Sequence, residues 1–204
     1  VSDDLPKLPE DRRKIIEVLL PLIGKRANVM DWLDTSIPHN LRLDLKNEIG
    51  EWNVIARFNW KDQARETYIS FPDFGLPQLN YWVYSFWNNQ ISMVKAGEPV
   101  HISMLPGHGV ELLGIRPVFA EDQYLGSNLH VSMGQELSCF EKTSHGIEIN
   151  LDLPRRADGD IYLKLIDSPL KITVNGFQIP FEEIENSVYK IHVKMDGHAS
   201  ILIQ

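Results

Sequence analysis

The chain has 204 residues, 43% of them hydrophobic and 24% charged, which is typical of a folded globular protein and not of a disordered one. Its formal net charge of −8 argues against a nucleic-acid-binding surface, because binding to phosphates requires clustered lysine and arginine. No apolar run reaches the length of about 18 residues that a membrane-spanning helix needs, so none is predicted.

The first residues predict one helix followed by an irregular connector. Residues 9–11 supply a proline and two carboxylates, which suit the first turn and the positive end of the helix dipole. Apolar residues within 15–20 form one face, and either Pro21 or Gly24 ends the helix. Residues 27–40 are rich in helix-breaking and turn-forming residues, so they predict a connector.

From residue 41 onward, apolar and polar residues alternate with the period of a β-strand. The predicted strands are 41–45, 52–60, 66–71, 81–87, 100–105, 109–115, 129–134, 147–153, 161–166, 171–176, 188–195 and 199–204. The predicted turns between them include Asn88-Asn89, Asp158-Gly159, Asn175-Gly176 and Asp196-Gly197. Short strands without intervening helices predict a mainly β fold. We expect an antiparallel β-sandwich, or two stacked β units, preceded by one N-terminal α-helix.

Three consecutive parts are predicted along the chain. Residues 1–40 form the helix and connector, residues 41–118 a β-sandwich, and residues 119–204 a second β-rich part that is either continuous with the first or appended to it. Segments 52–60 and 109–115 have the densest apolar content, which favours central positions. The predicted core contains Trp52, Val54, Ala56, Phe58, Tyr84, Phe86, Leu112, Ile115, Ile149, Leu163, Leu165, Val174, Ile191 and Ile201.

The residue spacing does not indicate catalysis or metal binding. Asp44 lies between leucines in LRLDLKNE, and we interpret it as an outward-facing strand carboxylate. The seven histidines lack the spacing of zinc ligands and are interpreted as turn or surface residues. Cys139 is the single cysteine, which excludes an internal disulfide framework and predicts a buried or half-buried small side chain. The sequence therefore predicts no catalytic residue, no metal site and no cofactor.

The aromatic cluster YWVYSFW at residues 81–87 is the segment best suited to binding a ligand. Sugar rings stack on flat aromatic side chains, so Trp82, Tyr84 and Trp87 are candidate carbohydrate-binding residues. Strand alternation directs Trp82 and Tyr84 to one face and Trp87 to the other. At least one of these faces must be core, so packing in the core or at a domain interface is the alternative interpretation.

Residues 110–137, VELLGIRPVFAEDQYLGSNLHVSMGQEL, carry a resemblance to a known family. An apolar run ends at Arg116-Pro117 and is followed by Gly126-Ser127-x-x-His130 and then by Gly134. This order resembles the region that follows the catalytic barrel in melibiase-type α-galactosidases, a family of retaining glycoside hydrolases.

Further segments are similar to that family in the same order, and the resemblance covers roughly residues 8–137. They are LPEDRRKIIEVLLPLIGKRANVMDWLD with its Asp31-Trp32 pair, EWNVIARFNWKDQARETYISF with Phe58-Asn59-Trp60, VYSFWNNQ, and LPGHGVELLGIRPV. The first of these looks like the exit from the barrel, and the others look like strands of the C-terminal sandwich. Residues 138–204 match only in being rich in strands.

The resemblance implies a non-catalytic C-terminal β-sandwich portion of an α-galactosidase-like enzyme. Motifs of the barrel are not present in this sequence, so the catalytic carboxylates of the family cannot be assigned to it. The implied partner is the catalytic barrel, contacted through Trp32, Leu33 and the apolar face of residues 15–20. A stand-alone carbohydrate-binding module and a domain for homo-oligomerisation are the alternatives.

The beginning of the sequence bears on location. VSDDLPKLPED has neither the basic nor the apolar region of a signal peptide, which favours a cytoplasmic protein. It also lacks an initiator methionine, so we expect a processed or trimmed piece of a parent protein whose location stays open.

Overall fold

A computed structural model of the chain describes residues 7–47, 50–185 and 187–204. Strands account for 54% of the structure and helices for 8%, which confirms the predicted mainly β class. Helix α1 (Glu10–Leu19) precedes the strands, as predicted, and ends before Pro21. A short 3₁₀ helix spans Phe71–Phe74. No helix in the described ranges is long and apolar enough to cross a membrane.

Fifteen strands form three antiparallel sheets within these ranges. In chain order the strands are β1 (Asn28–Val29), β2 (Asn40–Asn47), β3 (Gly50–Phe58), β4 (Arg65–Ile69), β5 (Tyr81–Ser85), β6 (Gln90–Val94), β7 (Val100–Leu105), β8 (Val110–Pro117), β9 (Gln123–Ser127), β10 (Leu137–Thr143), β11 (Gly146–Lys164), β12 (Ile172–Val174), β13 (Phe177–Gln178), β14 (Phe181–Glu185) and β15 (Val188–Ile203).

The first sheet has the order β1-β2-β3-β8-β5-β6, which places the two densest apolar segments at its centre, as predicted. The second sheet has the order β10-β11-β15-β12-β13, with β14 paired to β15 and β9 paired to β11. Strands β4 and β7 form a separate two-stranded sheet. The predicted sandwich preceded by a helix is therefore confirmed.

Three hydrophobic cores join these layers. One lies on the face of the first sheet that is covered by β4, β7 and the 3₁₀ helix, and it includes Ile55, Phe74 and Ile115. The opposite face packs Trp52 and Tyr84 against side chains of the second sheet and of the loop before β10. The third core lies within the second sheet. Of the 14 predicted core residues, 12 are buried, and Phe58 and Leu112 are half-buried.

Three local predictions are wrong. Residues 129–134 were expected to form a strand but form an irregular loop, because buried side chains bind its backbone in place of a neighbouring strand. Asp158-Gly159 and Asp196-Gly197 were expected to be turns but lie inside the long strands β11 and β15. Asn175-Gly176 is a turn, as predicted.

The sequence pattern also did not predict several short strands. These are β1, which lies in the predicted connector, and β6, β9, β10, β13 and β14, and most of them lie at sheet edges or pair only locally. The pairing of the long strands β11 and β15 shifts register between Asp152 and Arg156, which marks a β-bulge or a local irregularity. Alternating burial along both strands gives one buried and one solvated face, as predicted for this part.

Candidate functional site

The turn between β5 and β6 places Trp87 on the surface. Residues 86–89 form the turn, which is longer than the predicted two-residue loop, and Asn89 adopts a positive φ of 51°. The Tyr84 hydroxyl donates to Asn89 Oδ1 at 2.7 Å, and the Tyr162 hydroxyl donates to the Asn89 carbonyl at 2.6 Å. The Trp87 ring meets the Phe86 ring edge-on, with centroids 4.9 Å apart. The hydroxyl groups of two buried tyrosines therefore fix the conformation of the turn.

The three candidate carbohydrate-binding residues do not share a surface. Trp82 is 6% exposed and Tyr84 is 0% exposed, and both belong to the core between the first and second sheets. Trp87 is 42% exposed. The three residues therefore cannot form one stacking surface for a sugar, because both faces of β5 are covered by other parts of the protein. Within this cluster only Trp87 offers a ring surface to a ligand.

Trp87 borders an open cleft of about 770 Å³, here called the indole cleft. Helix α1 forms one wall through Lys14, Ile15, Glu17 and Val18. The opposite wall consists of polar and charged residues from the 128 loop and from β11 and β15, namely Asn128, Arg155, Arg156, Asp158 and Lys194. An exposed indole beside amide and charged groups is an arrangement that can bind a polar ring with an apolar face.

The polar wall of the indole cleft is part of a cross-strand network centred on Asp160. His192 bridges Asp158 Oδ1 at 2.9 Å and Asp160 Oδ1 at 2.8 Å. Burial would raise the pKa of Asp160, but hydrogen bonds from His192, Asn89 and Lys190 outweigh that effect and lower it. Asn89 Nδ2 donates to Asp160 Oδ2 at 2.7 Å, so the network also fixes the Trp87 turn.

A second groove of about 730 Å³ lies on the other side of Trp87 and is called the Glu111 groove. Glu111 is only 6% exposed and accepts a hydrogen bond of 2.5 Å from the Ser85 hydroxyl. Burial raises the pKa of Glu111, while the Ser85 hydrogen bond opposes the shift. His101 and His108 also line this groove. A carboxyl group at the base of a groove can accept hydrogen bonds from hydroxyl groups of a ligand.

The segment that carries the family resemblance folds into a buried polar loop. Glu136 is 1% exposed and accepts hydrogen bonds from the Tyr124 hydroxyl at 2.7 Å, from the Gly134 N–H at 2.9 Å and from the Ser127 hydroxyl. Arg116 donates to the Met133 carbonyl at 3.1 Å. These contacts fix the loop before β10. The spacing of glycines, Ser127 and His130 in this stretch did not predict the burial of the Glu136 carboxylate, because its partners come from β9 and from the loop itself.

His130 and Ser132 form part of the same loop and are not arranged for nucleophilic catalysis. Both are buried, at 1% and 0% exposure, so His130 is not on the surface, but its carbonyl accepts the Met133 N–H at 2.9 Å and it lies in a turn, one of the two positions expected for histidines. Nε2 of His130 lies 2.8 Å from the Pro21 carbonyl, while Nδ1 accepts the Ser132 N–H at 3.2 Å. Burial lowers the pKa of His130, which favours the neutral ring. A serine without solvent access cannot attack a substrate, so this arrangement is structural.

Asp44 is exposed on β2, which confirms its interpretation as an outward-facing carboxylate. It pairs with Arg42 at 2.8 Å and accepts hydrogen bonds from Asn53 at 2.6 Å and Asn28 at 3.1 Å. Cys139 is half-buried. No group of three or more His, Cys, Asp or Glu side chains in the described part of the chain could hold a metal ion.

Comparison of the sequence with protein-family models finds no match, and comparison with curated proteins finds none either.

Proposed function

We propose that the chain is a non-catalytic C-terminal β-sandwich portion of an α-galactosidase-like glycoside hydrolase and that it packs on the catalytic barrel of the enzyme. The observation that carries this proposal is the exposure of large apolar side chains between α1 and β2. Trp32 is 68% exposed, Leu33 is 92% exposed and Leu22 is 81% exposed. Side chains of this kind are normally buried, and their exposure in one segment is typical of an interface.

The exposed apolar residues are concentrated in one part of the chain. Of 18 exposed large hydrophobic residues in the described ranges, seven lie within residues 15–37: Ile15, Leu19, Leu20, Leu22, Trp32, Leu33 and Ile37. Burying one such side chain contributes about 1.5–3 kcal/mol. A partner that covers several of them would therefore gain appreciable affinity.

The loop that carries Trp32 and Leu33 has a defined conformation. Asp31 accepts the His39 N–H at 2.8 Å and the Asn40 N–H at 3.2 Å through its two carboxylate oxygens. Its carbonyl accepts the Thr35 hydroxyl at 3.1 Å. Trp32 and Leu33 are thus presented by an ordered turn, which lowers the entropy lost on docking.

The resemblance supports the catalytic barrel as the partner. Residues 8–34 look like the exit from the barrel in melibiase-type α-galactosidases, and they include the exposed residues of α1 and the Asp31-Trp32 pair. In this arrangement, the residues exposed in the isolated chain would face the barrel. Hydrolysis of a nitrophenyl galactoside by the purified chain would contradict the non-catalytic assignment.

Replacing Trp32 and Leu33 together with serine is expected to weaken binding to the barrel encoded in the same reading frame by roughly 10- to 100-fold, because two apolar anchors are removed. The measurement is calorimetric titration of the barrel with the full 204-residue chain. The matched control replaces Leu170 and Phe177, which are 91% and 77% exposed in a different part of the fold. That variant should bind as the wild type does.

Two results would contradict the proposal. One is the absence of any association between the chain and the barrel. The other is an equal loss of affinity in both double variants, which would assign the effect to general changes in surface hydrophobicity. If the wild-type chain instead sediments as a dimer and the variant with serine at positions 32 and 33 is a monomer, the alternative of homo-oligomerisation replaces the barrel.

A second candidate function is carbohydrate binding, which is favoured by the position of Trp87. Its exposed indole lies where the indole cleft and the Glu111 groove meet, with polar side chains on both sides. A sugar could stack on the ring and exchange hydrogen bonds with Asn128, Asp158 or Glu111. Trp32 and Leu33 line neither cleft, whereas Ile15 of the exposed apolar segment lines both, so a barrel that covered α1 would also border a sugar bound at Trp87.

Replacing Trp87 with alanine is expected to weaken retention on an immobilised galactoside about tenfold or more, which corresponds to roughly 1.4 kcal/mol of lost stacking. Trp60 is the matched control, since it is also 42% exposed but stacks on Phe58 with centroids 5.1 Å apart. Affinity chromatography of both variants tests this role. Unchanged retention of the Trp87 variant, or an equal loss in the Trp60 variant, would reject it.

A further inference from the structure

A third cavity, of about 430 Å³, lies between the 31–40 loop and strands β3 and β4. It is called the arginine cavity because two arginines, Arg57 of β3 and Arg65 of β4, line it together. The other titratable groups that line it are Asp31, Asp34, Asp73 and His39. Its volume is in the range that holds one small polar molecule.

Both arginines have hydrogen-bonding capacity that the protein does not use. Nε of Arg57 and Nε of Arg65 are buried and have no hydrogen-bond partner among the described residues. In the same ranges, neither guanidinium lies within 4.0 Å of a carboxylate oxygen. The two guanidinium groups therefore line one cavity without a neutralising ion pair, so an anion bound between them would meet two positive charges.

The two guanidinium groups also repel each other. Burial lowers the pKa of Arg57, and the positive charge of Arg65 lowers it further. Asp31 and Asp73 partly oppose these effects. An oxyanion that bridged the two arginines would offset the repulsion between them, because a guanidinium binds carboxylate and phosphate oxygens in pairs.

The arginine cavity is organised before any ligand binds. Arg57 Nη1 donates to Asn40 Oδ1 at 2.5 Å, which fixes the guanidinium against the loop. Asn40 is itself held by the hydrogen bond from its N–H to Asp31 Oδ1 at 3.2 Å. The carboxylate of Asp31 thus accepts hydrogen bonds from backbone N–H groups of the loop, which fixes the loop that carries Asn40.

The remaining acids lie at the rim of the cavity. Asp34 and Asp73 are exposed, whereas Arg57 and Arg65 are half-buried. A simple anion would meet the arginines but would be repelled by the two carboxylates. An anion that also carries hydroxyl groups would satisfy both, since each hydroxyl can donate to a carboxylate at the rim.

We propose that the arginine cavity binds a compact hydroxylated anion, namely a sugar that carries a carboxylate or a phosphate. Its anionic group bridges Arg57 and Arg65, and its hydroxyl groups donate to Asp34 and Asp73. This site goes beyond the proposed packing and carbohydrate-binding roles and does not involve Trp87.

The test is calorimetric titration of the full chain with galacturonate, galactose-1-phosphate, galactose and inorganic phosphate. We expect saturable binding of one or both sugar anions and weaker binding of galactose and of inorganic phosphate. Arg65→Gln is expected to reduce affinity for the sugar anion at least tenfold, since it removes one of the two charges. Nε of the Arg65 side chain has no hydrogen-bond partner among the described residues, so this variant should fold, which thermal unfolding would verify.

The matched control is Arg156→Gln, because Arg156 is exposed and pairs with Asp196 at 3.1 Å in a different region. It should leave the affinity unchanged. The preference between galacturonate and galactose-1-phosphate identifies the anionic group. Backbone amide shifts during a titration should centre on residues 31–40.

Three results would overturn the proposal. They are the absence of saturable binding by the wild type, equal affinity in the Arg65→Gln variant, and amide shifts confined to the Trp87 clefts. If no small anion binds but Arg65→Gln weakens association with the barrel, a carboxylate of that protein occupies the cavity in place of a sugar. If the chain does not bind the barrel, the titration with sugar anions still tests the arginine cavity. The proposal of barrel packing and the proposal of anion binding can therefore be rejected independently.

Discussion

Replacing Glu136 with alanine is expected to lower the free energy of unfolding by about 3–5 kcal/mol. The Glu136 side chain is 1% exposed and accepts hydrogen bonds from the hydroxyl groups of Tyr124 and Ser127 and from the Gly134 N–H. Each donor left unpaired in the protein interior costs about 1–3 kcal/mol. Water cannot readily replace the carboxylate, because the surrounding groups are buried as well.

The charge of Arg116 adds to this cost. Burial lowers the pKa of Arg116 to about 10, so its guanidinium remains protonated at neutral pH. The negative charge of Glu136 favours the protonated guanidinium of Arg116. Without Glu136, that guanidinium keeps its hydrogen bond to the Met133 carbonyl at 3.1 Å and its contact with the Trp52 ring at 4.5 Å. The loop before β10 would lose its central acceptor, and we expect the contact between the two main sheets to weaken with it.

Equilibrium urea unfolding of the wild type and the variant would measure the difference. Glu141→Ala is the control, because Glu141 lies exposed on β10 and its loss should change stability by less than about 0.5 kcal/mol. A Glu136 variant within about 1 kcal/mol of this control would show that the buried network contributes little to stability.

The alternation of apolar and polar residues was sufficient to predict the mainly β class and the central strands, but not every strand or strand boundary. Alternation with a period of two residues is a local property of the sequence. It predicted the central strands β3 and β8 and the solvated faces of β11 and β15. The expected turn at Asp158-Gly159 failed because its aspartate pairs across the strands with His192, and its glycine lies against Asn128 Oδ1, where a Cβ would come within 2.2 Å. Such long-range contacts override the turn preference of the pair.

The candidate sites were harder to predict than the fold. Alternation assigned Trp82 and Trp87 to opposite faces, but it could not show that both faces of β5 are covered and that only the turn residue is exposed. Arg57 and Arg65 meet because the two-stranded sheet folds over the first sheet. Arg57 and Arg65 lie on different strands, so the alternation within each strand does not predict that they meet. The arginine cavity could therefore not be predicted from the sequence pattern.

Replacing Gly126 with alanine is expected to lower the free energy of unfolding by about 2–4 kcal/mol, because the side chain has no space and the backbone is unfavourable. Gly126 lies on β9 with φ +153°, and an added Cβ would lie 2.9 Å from Cδ1 of Tyr84. Tyr84 cannot move easily, since it is fully buried and its hydroxyl is bound to Asn89.

The informative control for this variant is Gly176→Ala. Gly176 also has a positive φ, of +81°, but an added Cβ would have no atom within 4 Å. Gly176→Ala therefore reports backbone strain alone, about 1–2 kcal/mol, and the additional loss in Gly126→Ala reports overpacking against Tyr84. Urea unfolding of both variants measures the two effects. An equal loss of stability in the two variants would show that the Tyr84 ring moves to accommodate the new methyl group. Close packing of β9 on β5 would then not be the reason for glycine at position 126.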